Sequence, residues 1–201
     1  MASIASSISE LEEMLQRVSA ANRSQTLGGV IDLFLQGADR YRPEHIDLFD
    51  KVLSCLIVEM DTKELKALSK RLASCAKAPV ATVTRLARDD DPSISEPVLL
   101  QSLCLEDAVL GDIARTKSQS HLLAIACRAK VSAVVTELLI ERGDDVVVRY
   151  VANNPGAEFS EAGFLALVKR SKSDGALAEQ LKERKDIRRP QRQKQTATTI
   201  K

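Results

Sequence analysis

Three stretches of the chain decide its fold: "EDAVLGDIARTK" at 106–117, "SAVVTELLIERG" at 132–143 and "SEAGFLALVKRS" at 160–171. Written beneath one another, they fall into register. An apolar residue stands just ahead of each (Leu105, Val131, Phe159), a second follows eight residues later (Ile113, Leu139, Leu167), and a third comes directly after it (Ala114, Ile140, Val168). The segment "PVATVTRLARDD" at 79–90 fits the same frame through Ala78, Leu86 and Ala87, with successive offsets of 27, 26 and 28 residues. So regular a period predicts a repeat architecture, in which each unit is stabilised by stacking on its neighbours.

Each stretch has a companion with helical spacing: "KELKALSKRLASC" at 63–75, "PSISEPVLLQS" at 92–102, "QSHLLAIACRA" at 119–129 and "DVVVRYVANN" at 145–154. Polar turns separate the helices, at "RDDDP" (88–92), "TKSQS" (116–120) and "RGDD" (142–145). Ser132 and Ser160 stand where an N-cap belongs, and Pro79 suits a first helical turn. Two short antiparallel helices per unit, with Leu139 between neighbouring units, predict a HEAT-like α-solenoid of about four units over 63–175, whose hand the sequence does not fix.

Working outward, residues 1–62 read as an N-terminal helical region. Ile4, Ile8, Leu11, Leu15 and Val18 draw one apolar stripe along a first helix, with Glu10, Glu13 and Arg17 off it. A second helix runs through "SQTLGGVIDLFLQGADRY", where Gly28 and Gly29 would permit close helix contact or a bend. Pro43 opens a third, "EHIDLFDKVLSCLIVEM", with its apolar face at Ile46, Phe49, Leu53, Leu56, Ile57 and Met60. Residues 176–201 read as a final helix and a basic, disordered tail: from 182 onward eight Lys or Arg face only Glu183 and Asp186, so +6 in the tail is offset by −5 elsewhere in a chain of net +1.

Composition agrees with an all-helical chain, since aromatics make up only 3% of it while Ala, Leu, Glu, Lys and Arg are plentiful. Cys55, Cys75, Cys104 and Cys127 lie too far apart for a zinc or redox motif, and are expected as small core residues in a reducing compartment. The acidic start of "MASIASSISELEEML" does not continue as a signal peptide, and no apolar run is long enough for a membrane span. A cytoplasmic protein is expected.

No constellation predicts catalysis, a metal or a cofactor. Asp89, Asp90 and Asp91 run into Pro92, which reads as an N-terminal cap more readily than as an acid–base pair. His45 has no second ligand at metal spacing and is expected on the surface; His121, in "SQSH", belongs to an inter-unit turn and cap. The run "ANNPG" at 152–156 stops a helix, although an Asn in a solenoid can also read a bound peptide backbone. The repeat register puts Arg88, Arg115 and Lys169 at one equivalent position near the end of the second helix, with Glu141 there in the remaining unit and Arg142 beside it. These cations complement their own helix dipoles, or they form a basic ridge for an acidic or phosphate-bearing partner; both readings stay open.

The segments "DDDPSISEPVLLQS" (89–102), "ARTKSQSHLLAIACR" (114–128) and "GDDVVVRYVANNPGAEFSEAGFLALV" (143–168) resemble an uncharacterised alphaproteobacterial family with HEAT-like helical repeats. Its most specific pieces here are "LARDDD" (86–91) and "NNPGAEFSE" (153–161), within a likeness covering about residues 23–171. The resemblance implies a fold and no activity. The expectation is therefore a non-enzymatic adaptor or scaffold that binds a protein or peptide through its repeat surface, with Arg88, Arg115, Arg142 and Lys169 as candidate contacts. One alternative is a nucleic-acid enzyme of the DNA glycosylase type, which would want aromatic residues in a cationic groove, whereas the chain has no Trp and only Tyr41 and Tyr150. Another is a regulatory domain whose effector region lies elsewhere. Nucleic acid bound through the tail alone would be held weakly.

Overall fold

The computed structural model describes residues 20–183, with side chains described from 28 to 182. The apolar stripe at 4–18 and the tail beyond 183 lie outside the described residues. Eleven α-helices follow one another: α1 Ala20–Gly37, α2 Pro43–Leu56, α3 Thr62–Ala73, α4 Val80–Ala87, α5 Pro92–Gln101, α6 Asp107–Thr116, α7 Gln119–Ala126, α8 Ala133–Arg142, α9 Asp145–Asn153, α10 Glu161–Ser171 and α11 Gly175–Glu183. A short 3-10 turn, Ile57–Glu59, follows α2. The only extended pairing among the described residues is one isolated parallel bridge between Val131 and Ala157. No described helix is long and apolar enough to cross a membrane.

The helices stack in two rows. Helices α3, α5, α7, α9 and α11 each pack on the next but one in the chain and form one row; α6, α8 and α10 form the other, which α2 and α4 begin. This is a solenoid-like, all-helical arrangement. Helices ahead of residue 63 belong to the same stack, because α2 packs on α4 and Asp32 of α1 pairs with Arg71 of α3. The second row is slack at one place, between α4 and α6, where contact is slight at most.

Periodicity in the sequence becomes burial in the structure. Leu86, Ile113, Leu139 and Leu167 are all fully buried, as the four-fold register predicts, and Ala87, Ala114 and Ile140 beside them are buried too. The first-row helices carry a matching frame, with Leu68, Ile94, His121 and Val147 in one buried slot and Leu72, Val98, Ile125 and Val151 in another. A pair of adjacent apolar residues repeated one turn later is how a short helix covers two neighbours at once. His121 occupies a slot that Leu, Ile or Val fills elsewhere.

Capping fixes the helix ends. Asp91 accepts from Ser93 N at the start of α5 with Pro92 in the first position; Asp144, Ser132 and Ser160 accept from Val147 N, Val135 N and Gly163 N at the starts of α9, α8 and α10. Asp61 and Glu64 make a capping box on α3. Pro79, expected inside the first turn of α4, instead sits one residue ahead of it and offers no side-chain cap. Asp50 of α2 serves in its place and accepts from Ala81 N, Thr82 N and the Thr82 hydroxyl at 2.7–2.8 Å.

Two expectations need correcting. None of the four cysteines is fully buried: Cys75 and Cys104 pack against the core as half-buried residues, and Cys127, at the end of α7, is exposed. Gly28 and Gly29 make no close helix contact among the described residues, where a Cβ at either would meet nothing within 4 Å. His45 is exposed, as expected, and its ring stands edge-on to Tyr41.

Candidate functional site

The basic column sits where the second-row helices end, and its members behave differently. Arg88, half exposed, reaches across the slack α4–α6 junction to Asp112 at 3.0 Å. Arg115 and Lys169 are exposed and carry no ion pair among the described residues. Arg142 is exposed as well, but its guanidinium donates to the Ala114 carbonyl of the preceding unit at 2.6 Å.

Sequence reading missed that Arg142 has a twin. Arg170, 28 residues on, donates to the Ile140 carbonyl at 2.9 Å and to the Gly143 carbonyl at 2.7 Å. Ala114 and Ile140 are equivalent positions, so in each of the last two units one arginine donates to a carbonyl at the end of the previous unit's second helix. A parallel device runs through the first row. Arg128 donates to the carbonyls of Leu99 and Ser102, and Asn154, its equivalent 26 residues later, donates to those of Ala126 and Arg128 at 2.8 Å each. Asn154 is thereby committed inside the stack rather than facing a bound peptide. Burial pulls the Arg128 guanidinium down from its ordinary range, and the nearby Asp107 partly offsets this.

The acidic run is occupied as well. Besides Asp91, Asp89 accepts from Asp91 N at 2.9 Å, and Asp90 pairs with Lys117 on the next unit, whose ammonium holds the Asp90 carboxyl below the usual carboxylate range. His121, 2% exposed, is held at both ring nitrogens, with Nδ1 at 2.8 Å from the Ser118 hydroxyl and Nε2 at 2.9 Å from the Asp89 carbonyl. A neutral ring that donates from Nε2 and accepts at Nδ1 satisfies all three groups. The inter-unit turn expected around "SQSH" is there, with Ser118 as N-cap residue and its hydroxyl turned to the histidine. This is a polar joint between two units. The one hydroxyl among His121's hydrogen-bond partners is that of Ser118, the N-cap residue of the same helix.

Two open clefts flank the column. One of about 680 Å³ runs beside α4 and is lined by Ala81, Thr84, Arg85, Arg88, Asp89 and Asp90. The other, about 820 Å³, lies between α8 and α10 and is bordered by Glu137, Glu141, Ala166, Lys169 and Arg170 among others. Both are shallow and mix charges of the two signs. No group of three or more His, Cys, Asp or Glu among the described residues could hold a metal ion. What the site offers chemically is hydrogen bonding and ion pairing along an edge.

Residues 94–198 match a family described as uncharacterised protein conserved in bacteria (DUF2336). The match covers more than half of the chain, which therefore belongs to this family. Neither a curated protein nor a solved structure matches.

Proposed function

We propose that this member of the bacterial DUF2336 family, alphaproteobacterial and HEAT-like by its resemblance, is a non-enzymatic scaffold of the cytoplasm that binds an acidic or phosphate-bearing segment of a protein partner along the ends of its second-row helices. The observation that carries the reading is that Arg115 and Lys169 stand exposed, with no ion pair among the described residues, at equivalent positions of a stacked repeat, while the cations beside them, Arg142 and Arg170, are engaged on backbone carbonyls. A cation needed only to complement its helix end would serve as well in either arrangement. Arg85 and Arg88, beside the α4 cleft, extend the same edge. Arg142 contributes by fixing the edge rather than by contact.

The test is affinity capture from the native cytoplasm by the wild-type chain and by Arg115→Glu/Lys169→Glu, with Arg88→Glu added in a second variant. On this proposal the reversals abolish capture of the main partner while circular dichroism and melting stay as in the wild type, and rising salt weakens the wild-type complex. Capture that survives both reversals and high salt refutes the ridge.

A further inference from the structure

The second row stops at α10 among the described residues, and the face it leaves uncovered is written in a self-complementary order. In earlier units the equivalent positions are covered by the next helix of the row. A Cβ on Gly111, the counterpart of Leu165, would touch Leu138 of α8 at 3.3 Å, and Ile140, the counterpart of Val168, lies beside Gly163 of α10. Leu165 and Val168 point the same way with no described helix beyond them, and are 57% and 37% exposed. Glu161 and Lys172 lie four residues before and after that pair, so that steps of four, three and four set Glu161, Leu165, Val168 and Lys172 within about 60° of one another around the axis. Both charged residues are exposed and without a described ion pair, and Lys169 flanks the stripe beside Leu165, where its long side chain can lie outside a partner helix.

We infer that this face pairs with the same face of a second copy, α10 against α10 in antiparallel. An acid, two apolar residues and a base in that order match their own reverse. A two-fold axis between Leu165 and Val168 sets Leu165 against the partner's Val168, and Glu161 against the partner's Lys172, twice each. Twofold, isologous pairing is the commonest way a soluble chain meets itself, and it requires this kind of self-complementarity. The pairing continues the second row through the axis at an ordinary interhelical distance of about 8–10 Å. One short helix on another lies at the low end of interface sizes, so the dimer is weak and forms at high protein concentration. The face shares α10 with Lys169 of the basic edge proposed above, whereas Arg88 and Arg115 lie on other helices, so reversing Arg115 alone should leave the dimer intact and keeps the two readings distinguishable.

Sedimentation equilibrium of the full chain from micromolar to millimolar concentration tests it. Wild type should show a reversible monomer–dimer equilibrium, and Leu165→Glu should be monomeric throughout with unchanged melting. Glu161→Lys alone and Lys172→Glu alone should each weaken the dimer by roughly tenfold or more, since both ion pairs become repulsions. The double reversal should restore it, and so should an equal mixture of the two single variants, which can pair only with each other. A wild type that stays monomeric at millimolar concentration overturns the inference. So does a dimer that the charge swap fails to rescue, or a Leu165→Glu variant that loses melting temperature without changing mass, which would mean that the chain itself covers α10.

Discussion

The junction between the first and second repeat units and the junctions after it are held by different physics. At the first, α3 packs closely on α5, but α4 and α6 scarcely touch, and that second-row gap is bridged by Arg88 to Asp112 and Lys117 to Asp90, ion pairs with at least one well-exposed partner. Later junctions are tied by Arg128, Arg142, Asn154 and Arg170, which reach into the preceding unit and donate to carbonyls at helix ends. Exposed ion pairs contribute little and fade with salt, whereas a buried carbonyl that loses its donor retains its full desolvation cost. One repeat stack thus contains a joint that is loose along its second row and two that are firm along both rows, and the loose one borders the α4 cleft.

The largest test of this contrast is on the firm side. Leu139 is fully buried between neighbouring units, and Leu139→Asp should lower stability by more than about 3 kcal/mol in urea melts, as an unpaired buried charge does. A wild-type melt would mean that the unit frame is misplaced. Close behind comes Gly156, where a Cβ would lie 1.9 Å from the Ala129 carbonyl oxygen. Gly156→Ala must therefore push the two connections apart, at about 1–3 kcal/mol. Arg128→Ala leaves the Leu99 and Ser102 carbonyls without their donor and should cost about 1–3 kcal/mol, with little dependence on salt.

On the loose side, Arg88→Ala should cost less than about 1 kcal/mol and that cost should vanish in high salt; a larger or salt-independent loss would remove the distinction between the joints. The smallest effect is at the far end, where Arg149 of α9 holds Asp174 at 2.7 Å just ahead of α11. The hydrogen bond from Arg149 keeps the Asp174 carboxyl below its usual range. A carboxyl whose folded pKa is depressed contributes stability above its unfolded value, near 3.9, and loses it as pH falls through the folded value. The protection of the α11 amides against exchange, relative to the unfolded chain at the same pH, should therefore fall on acidification below about pH 4 in the wild type. In Asp174→Asn, the same helix should exchange faster at neutral pH and show less of that acid dependence.

Much of the fold was legible because the signal that carries it is local. An apolar residue recurring at equivalent places in short helices can be read without coordinates, and every member of the Leu86, Ile113, Leu139 and Leu167 series proved to be core. Val168 shows where reading by register fails: its counterparts are covered, but coverage depends on a neighbour that the residue itself does not encode. The candidate site was legible in position and not in role. Arg115 and Arg142 look alike in the sequence and both are exposed, yet one has no ion pair among the described residues and the other donates to a carbonyl 28 positions earlier in the chain.

The sequence by itself determined the all-helical class, the period of the repeat, the residues inside it and several of the caps, since each follows from spacing within one or two turns of chain. Tertiary structure alone decided which polar side chains became joints. Asp50 capping a helix some thirty residues away, His121 held between Ser118 and Asp89, and Asn154 reaching the previous unit all depend on which helix ends the stack brings together. A backbone group left orphaned at a helix end takes the donor or acceptor that is nearest in space, and nearness in space is a property of the stack, not of the string.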